Sequence, residues 1–498
     1  MPPSGISSLI GVDLNATRVL AVCGEAESLP QALPLDGAND ELPMALSLEG
    51  RHIQVGQAGL ALCRRSPHVA CLEFLAHLGT DRSWKAGRHR LDAMQALTLV
   101  CQHLKHLCED QGMGVAAPSY LTPHQLDLLT RAAMKARLPL LGTIAAPLAA
   151  ALTAYSEQPW SGPTLVVDVD DHALSWSAVL VEDNEARLLT TASWPALGLR
   201  CWKERLLDVL ADRCVRQSRR DPRDCGDAEQ SLYEQLDPAL LACCQGQMAE
   251  VAVQTSQWYQ NLIVQPAELT AACAQLARQA LEAMQVVQAE TTYHGTTGAV
   301  LLTAAASRLP GLTASVEACV GVSSAEAEDS RDDFGEALVE SVFGPPAGVY
   351  VLSADAAARA AHALALRWQR QQLPRGHIDA AALLPPPPPD AGPPRLHFRG
   401  QEFLLGDLSF TLGRHPDCDL VFDSAVYPAV SARHCEIVFD RHAHILRDRS
   451  RHGTLINDRP VIQQTALHAG DWIRLGLNGP LLRFLGQAAD QRRLMTTA

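Results

Sequence analysis

Leu412-Gly413-Arg414-His415-Pro416-Asp417-Cys418-Asp419-Leu420 opens a series of four stretches that decide the reading of the C-terminal part of this chain. The others are Val430-Ser431-Ala432-Arg433-His434-Cys435-Glu436-Ile437, Asp448-Arg449-Ser450-Arg451-His452-Gly453-Thr454-Leu455-Ile456-Asn457 and Leu467-His468-Ala469-Gly470-Asp471. Each sets a short apolar run against a cluster of Gly, Pro, Asp or Ser, the pattern of a brief strand beside a tight turn. Around them, residues 402–405, 409–412, 419–422, 434–439, 443–447, 472–475 and 481–485 read as strands, with Asp440-Arg441-His442 as a hairpin turn. Short strands at this spacing predict an all-β sandwich.

Working outward, the next signal is Leu384-Pro385-Pro386-Pro387-Pro388-Pro389-Asp390, followed by Ala391-Gly392-Pro393-Pro394. A proline run is extended and has no face to bury in a core. It divides the chain into a domain at 1–384, a linker at 385–394, the sandwich at 395–485 and a tail at 486–498. With 498 residues the chain exceeds one compact core in any case.

Before the linker the pattern is α/β. Residues 9–14 form an apolar strand and 17–23 continue it after a turn. Residues 164–168 are an apolar strand ending on an acid, 175–181 read as alternating, and a loop at 182–187 leads to 188–192. The two strand–turn–strand units lie ~155 residues apart, as in a duplicated fold. Trp202, Leu206, Leu210 and Cys214 share one helix face, and Leu269, Cys273, Leu276, Ala280 and Met284 share another.

Net charge narrows the partners. At −14 the protein is a poor ligand for nucleic acid. Residues 395–485 carry 11 arginines against 10 acids, so the acidity belongs to the larger domain. Only Lys85, Lys105, Lys135 and Lys203 are lysines, an arginine bias that fits a GC-rich bacterial genome. The 14 cysteines form no CxxC pair, which reads as reduced, cytoplasmic thiols. The stretch MPPSGISS has neither a basic segment nor a long apolar one, so no signal peptide is expected. The apolar run from Leu138 to Tyr155 is long enough to raise a membrane span. It contains Gly142, Pro147 and two threonines and lacks flanking anchors, so a span is not expected.

The four C-terminal stretches resemble the motifs GRxxxCDI, SxxHxxI, DxSxNGTxxN and LxxGD of the forkhead-associated (FHA) family, in order and spacing. The resemblance implies a module that reads phosphothreonine on a partner protein. It implies phosphate contacts from Arg414 and Ser431, with Arg433, Arg449 and Arg451 adding positive charge to the same loops. A phosphate dianion requires a guanidinium fork and short donors of this kind. It also implies structural roles for Gly413, His434, Gly453, Thr454 and Asn457. The chain departs from the family at Ala432, often basic, and at His452, where the family has the asparagine that grips the peptide backbone.

The larger domain resembles the DnaK-type heat-shock ATPases of the actin-like fold over about residues 5–370. Five pieces fall in the family's order: Ile10-Gly11-Val12-Asp13-Leu14-Asn15-Ala16-Thr17 at the first phosphate loop, Ala117-Pro118-Ser119-Tyr120, and Ile144-Ala145-Ala146-Pro147-Leu148 at the connecting motif. Val167-Asp168-Val169-Asp170-Asp171-His172-Ala173 lies at the second phosphate loop, and Leu302-Thr303-Ala304-Ala305-Ala306 at the adenosine motif. Residues 354–366 resemble the closing helix. The catalytic pieces are altered. Asn15 and Asp170-Asp171-His172 stand where phosphate loops need glycines, Ala146 replaces the catalytic glutamate, the catalytic lysine falls near Leu75, and Ala304-Ala305 replace a glycine pair. Asp13 and Asp168 remain. Asp170 and Asp171 would face the phosphates and repel them, unless a Mg²⁺ bridged the pair.

The expectation is therefore a cytoplasmic adaptor or scaffold, not an enzyme, that binds a phosphothreonine-containing protein and needs no cofactor. Neither nucleic acid nor a membrane is an expected partner. The alternative is an active, divergent DnaK-like ATPase using ATP and Mg²⁺, its nucleotide state coupled to phosphoprotein binding.

Overall fold

The computed structural model describes residues 8–25, 29–37, 39–108, 111–256, 258–291, 299–329, 348–384, 393–398, 401–406, 409–424, 427–440, 443–456, 459–467, 469–476 and 479–485. Asn457, His468, the proline run, the Arg441-His442 turn and the tail lie outside these residues. The chain divides into two compact units, Met1–Pro385 and Pro386–Ala498.

The first unit is built on two sheets of one design. In the first, β1 (Leu9–Leu14) and β2 (Arg18–Gly24) form a hairpin, β3 (Gln31–Ala32) pairs antiparallel with β2, and β4 (Met113–Ala117) and β5 (Leu140–Ala145) follow on the other side of β1, both parallel. The second repeats the scheme with β6 (Gly162–Val169), β7 (Leu174–Glu182), β8 (Glu185–Trp194), β9 (Ala299–Leu302) and β10 (Gly348–Val351). Each sheet thus runs third, second, first, fourth, fifth strand. His377–Ile378 then adds to the first sheet beside β5, and Ala380–Ala382 to the second beside β8, so one short segment joins both.

Two local readings change on folding. Strand β7 is buried from Leu174 to Val181 on both faces, whereas its sequence reads as half-buried. Trp176 enters one core, its indole N–H donating to Ala280 O at 3.0 Å, while Val179 and Val181 enter another. Layers cover both faces, so small polar residues such as Ser175 and Ser177 are buried as hydrogen-bonded pairs with Ser193 and Thr191. The loop expected at 182–187 shrinks to a two-residue turn, with Asp183 and Asn184 both at positive φ, the geometry that matches strand twist. The apolar run of 138–155 is β5 followed by helix α1 (Ala146–Glu157), buried over its first nine residues. Among the described residues no helix is long and apolar enough to cross a membrane.

Gly11 also changes meaning. It faces not a ligand but helix α2 (Ala356–Gln369), and a Cβ there would collide with Ala358 O and the His362 backbone. Gly114 on β4, its register partner, meets the same helix at Ala361 O. The sheet is stripped of side chains where the helix lies on it.

The second unit is a sandwich of a six-stranded and a five-stranded sheet. Leu396, Leu412, Ile437, Leu446, Ile473, Leu475, Leu482 and Phe484 fill the space between them, all at most 1% exposed. The strands read from sequence are present within one or two residues. Four more appear, Arg395–Phe398, Thr454–Ile456, Arg459–Pro460 and Gln464–Ala466. They are two to four residues long and lean on neighbours rather than on their own pattern.

Candidate functional site

In the second unit three loops meet at one end of the sandwich, and His434 is the residue that gathers them. It is fully buried, at 0% exposure. Its Nδ1 accepts the Ser431 N–H at 3.0 Å, which leaves the ring proton on Nε2 to donate to Gly453 O at 3.2 Å. Its backbone is held between Leu412 O and the Arg449 N–H. Burial lowers its pKa, so the ring stays neutral as this bonding needs. Gly453 sits at φ 77°, a left-handed turn that a side chain would strain.

Asp448 is the second organiser, and its weight is not evident from sequence. Its carboxylate accepts the Thr454 hydroxyl at 2.8 Å, the Thr454 N–H at 3.3 Å and the Ser450 N–H at 3.0 Å. Thr454 itself is fully buried. Thr411 and Asp419 clasp the first loop in the same way, with the Thr411 N–H and hydroxyl both donating to Asp419 Oδ2 at 2.7 and 2.8 Å. Gly413 lies where a Cβ would strike Ala432 O, so the first loop packs directly on the second.

The polar groups left for a ligand are therefore few. Arg414 bonds Ser431 O through its backbone N–H at 3.1 Å, and its guanidinium is exposed and engages no side chain among the described residues. Ser431 Oγ accepts the Arg451 N–H at 3.1 Å and keeps its own hydroxyl proton to donate elsewhere. The Arg451 side chain is exposed and likewise has no acidic partner among the described residues. Arg433 has only Asp417, at 4.0 Å with both side chains well exposed, a pairing worth little in water. Arg449 differs, being tied to Glu436 at 2.6 Å, which takes it out of the set of available cations. His452 is exposed beside Arg451.

Residues 410–476 match the FHA domain family. FHA domains typically bind phosphothreonine-containing proteins. No curated protein matches the chain. The FHA domain accounts for the three loops just described, and the match leaves the first unit without an assigned family.

The cleft between the two sheets of that unit gathers most of the remaining sequence candidates. Asp13, Asn15, Ala146, Asp168, Ala304 and Ala305 all line it, although they are up to 292 residues apart. Asn15 is a turn former, its Oδ1 accepting the N–H groups of Thr17 and Arg18 at 3.0 and 2.9 Å. Arg18 crosses the cleft, reaching Asp13 at 3.4 Å, Glu41 at 3.1 Å and Ala354 O at 3.5 Å. Burial pushes Asp13 up to about 6 despite Arg18, with Asp168 adding to the rise. Asp168 is raised by burial as well, and accepts the Thr303 hydroxyl at 2.8 Å.

Asp170 and Asp171 do not face this cleft as a pair. Asp170 is 3% exposed and turns to Ala16, Tyr120, His172 and Ala173. Asp171 has other partners, its charge felt by Lys203 and Arg64 and its carboxylate bonded by Thr17, and its Oδ1 is buried without a hydrogen bond. The two carboxylates are thus engaged by different partners, and among the described residues no cluster of three or more metal-ligating side chains occurs. Leu75, near the expected position of a catalytic lysine, is core at 1% exposure.

Proposed function

We propose that this protein is a phosphothreonine-dependent interaction adaptor, with the FHA domain as its reading head and the first unit as a scaffold. One observation carries the reading. Arg414, Ser431 and Arg451 converge from three loops, and the described residues offer no acid to satisfy either guanidinium. A doubly charged phosphate supplies the missing acceptors, and charge-assisted forks of this kind are the strong hydrogen bonds. His434, Gly453, Thr454 and Asp448 hold the loops in advance, so binding loses little ordering entropy. Exposed His452 can still donate to the peptide backbone in place of an asparagine.

For the first unit we propose an actin-like, DnaK-related fold without ATPase activity. Two sheets of one strand order, facing each other across a cleft, support the fold. The loss of turnover is argued from Ala146 in place of an acid, from Arg18 across the cleft, and from Asp170 being committed elsewhere.

The test of the adaptor reading is a titration of a labelled phosphothreonine peptide library against the full chain. Binding that needs the phosphate is expected. Arg414→Ala removes a charged hydrogen-bond partner, typically ~2–5 kcal/mol, and should abolish binding at micromolar concentrations. Ser431→Ala should weaken it less, since a neutral donor is lost. Binding by Arg414→Ala equal to that of wild type would refute the site. Tight, Mg²⁺-dependent ATP binding in calorimetry would refute the scaffold reading of the first unit.

A further inference from the structure

Four donors in the first unit point at one side chain, and they come from both sheets. From the β1–β2 turn, the Ala16 N–H donates to Asp170 Oδ2 at 2.8 Å. From the segment after β4, the Tyr120 hydroxyl donates to the same oxygen at 2.5 Å. From the second sheet, the His172 and Ala173 N–H groups donate to Oδ1 at 2.9 and 3.0 Å. Next to it the Asp171 N–H donates to Thr17 Oγ1 at 2.7 Å, a further bond across the same gap. Tyr120 also stacks edge-on against His172, with ring centroids 4.8 Å apart.

A carboxylate is saturated by two donors on each oxygen, and the three backbone N–H groups among these four cannot act as acceptors. Backbone and hydroxyl donors assembled around a buried point make an anion site. Here the anion is part of the chain. We infer that Asp170 is a built-in anion that clamps the two sheets of the first unit together, and that its removal uncovers a site for a small carboxylate. Burial pushes its pKa up to about 7, while the bonds from Tyr120, Ala16 and Ala173 favour the charged form.

The clamp has a structural consequence. Ala16 and Tyr120 belong to the first sheet, and Asp170 to the second, 154 and 50 residues away in sequence. Other bonds cross the gap nearby, from Asp171 N–H to Thr17 Oγ1, from Thr191 Oγ1 to Ser119 Oγ at 2.9 Å and from Arg18 to Ala354 O, and the cleft is lined by Asp13, Asn15, Asp168 and Thr303 beside the small residues Ala146, Ala150, Ala304 and Ala305. Asp170 Oδ2 receives two of the bonds that cross here, from Ala16 and Tyr120, so closure at this end of the cleft leans on this carboxylate more than on the groups that make one such bond each.

The test uses the full chain and three variants, Asp170→Ala, Asp170→Asn and Tyr120→Phe. Hydrogen exchange read at peptides covering residues 14–18 and 170–174 reports the clamped amides, and calorimetry reports melting of the first unit. Asp170→Ala should speed exchange at both peptides by at least about tenfold, as local opening replaces protection. Sodium formate, the size of the missing group, should slow that exchange and raise the melting temperature of Asp170→Ala, while sodium chloride at equal ionic strength should not. Formate should leave wild type unchanged. Asp170→Asn keeps the volume but turns an NH₂ group toward two donors, so it should also open, without rescue because the site is filled. Tyr120→Phe removes one donor of four and should shift exchange by a smaller factor. If Asp170→Ala fails to fold, Asp170→Asn decides: wild-type protection in that variant overturns the clamp. Wild-type exchange in Asp170→Ala overturns it too, as does rescue by chloride equal to that by formate.

Discussion

His434→Ala is the perturbation that most directly probes how the FHA loops are held. The ring makes two hydrogen bonds, from the Ser431 N–H to Nδ1 and from Nε2–H to Gly453 O. Truncation leaves a backbone donor and a backbone acceptor without partners around a fully buried position. Each orphaned group costs about 1–3 kcal/mol, less where water can enter the space left by the ring. Taking the two together, the expected loss is about 3–5 kcal/mol, a large share of the ~5–15 kcal/mol that holds a domain folded. For a domain of this size 1 kcal/mol moves the melting temperature by roughly 4–8 °C, so a drop of about 12 °C or more should be seen. Calorimetry on a fragment spanning 386–498 and on the full chain measures it. A pH arm adds a second check. Burial lowers the pKa of His434 in the fold, so the folded state prefers the neutral ring. The resulting stability is present above the ordinary histidine value of about 6.5 and is lost as pH falls below it. His434→Ala should abolish that acid-side loss. A variant that melts within about 2 °C of wild type, with an unchanged acid limb, would refute the role assigned to the ring.

Three further outcomes follow from the same geometry. Asp13 is raised from 3.8 to about 6 by burial, so its contribution to stability is greatest in acid and falls as pH rises from about 4 to 6. In urea titrations at pH 4.5 and 6.5, Asp13→Asn should flatten the decline by up to about 1.4 kcal/mol per pH unit. An identical pH slope in the variant would contradict the buried placement of Asp13. Gly11→Val should destabilise the first unit by more than about 3 kcal/mol, because its side chain would push helix α2 off the sheet; a near-neutral effect on melting would show that the helix does not rest there. Limited proteolysis should cut near residues 370–400 and release a folded FHA fragment of about 90–110 residues, since proline-rich connecting segments offer no core face. A fragment that unfolds on release would count against two independent units.

The FHA domain was legible because its information is local. The residues that shape each loop lie within about ten positions of one another, and turn chemistry acts at that range. Arg414, Ser431, His434, Gly453 and Thr454 can be read in place, and the structure brings their loops to one end of the sandwich. Asp448 was passed over because a carboxylate in a loop motif carries no sign that three donors will converge on it. The sequence does not show Arg449 to be engaged, because its partner Glu436 lies on a strand 13 residues back.

In the first unit the sequence by itself determined the alternation of strands and helices, their duplication and the apolar faces of the long helices. These follow from periodicity, which a single segment displays. Direction was another matter. Asp170 and Asp171 are neighbours with the same side chain, and nothing in their sequence separates them. Only the folded chain sends one to Ala16, 154 residues away, and leaves the other beside Lys203. The same holds for Gly11, which falls in the stretch that resembles a phosphate loop and serves as a seat for a helix formed 345 residues later. The physical reason is common to both cases. A buried polar group or a close backbone approach is decided by which partner the sheet pairing brings within reach, and that pairing joins segments whose separation along the chain no local pattern records.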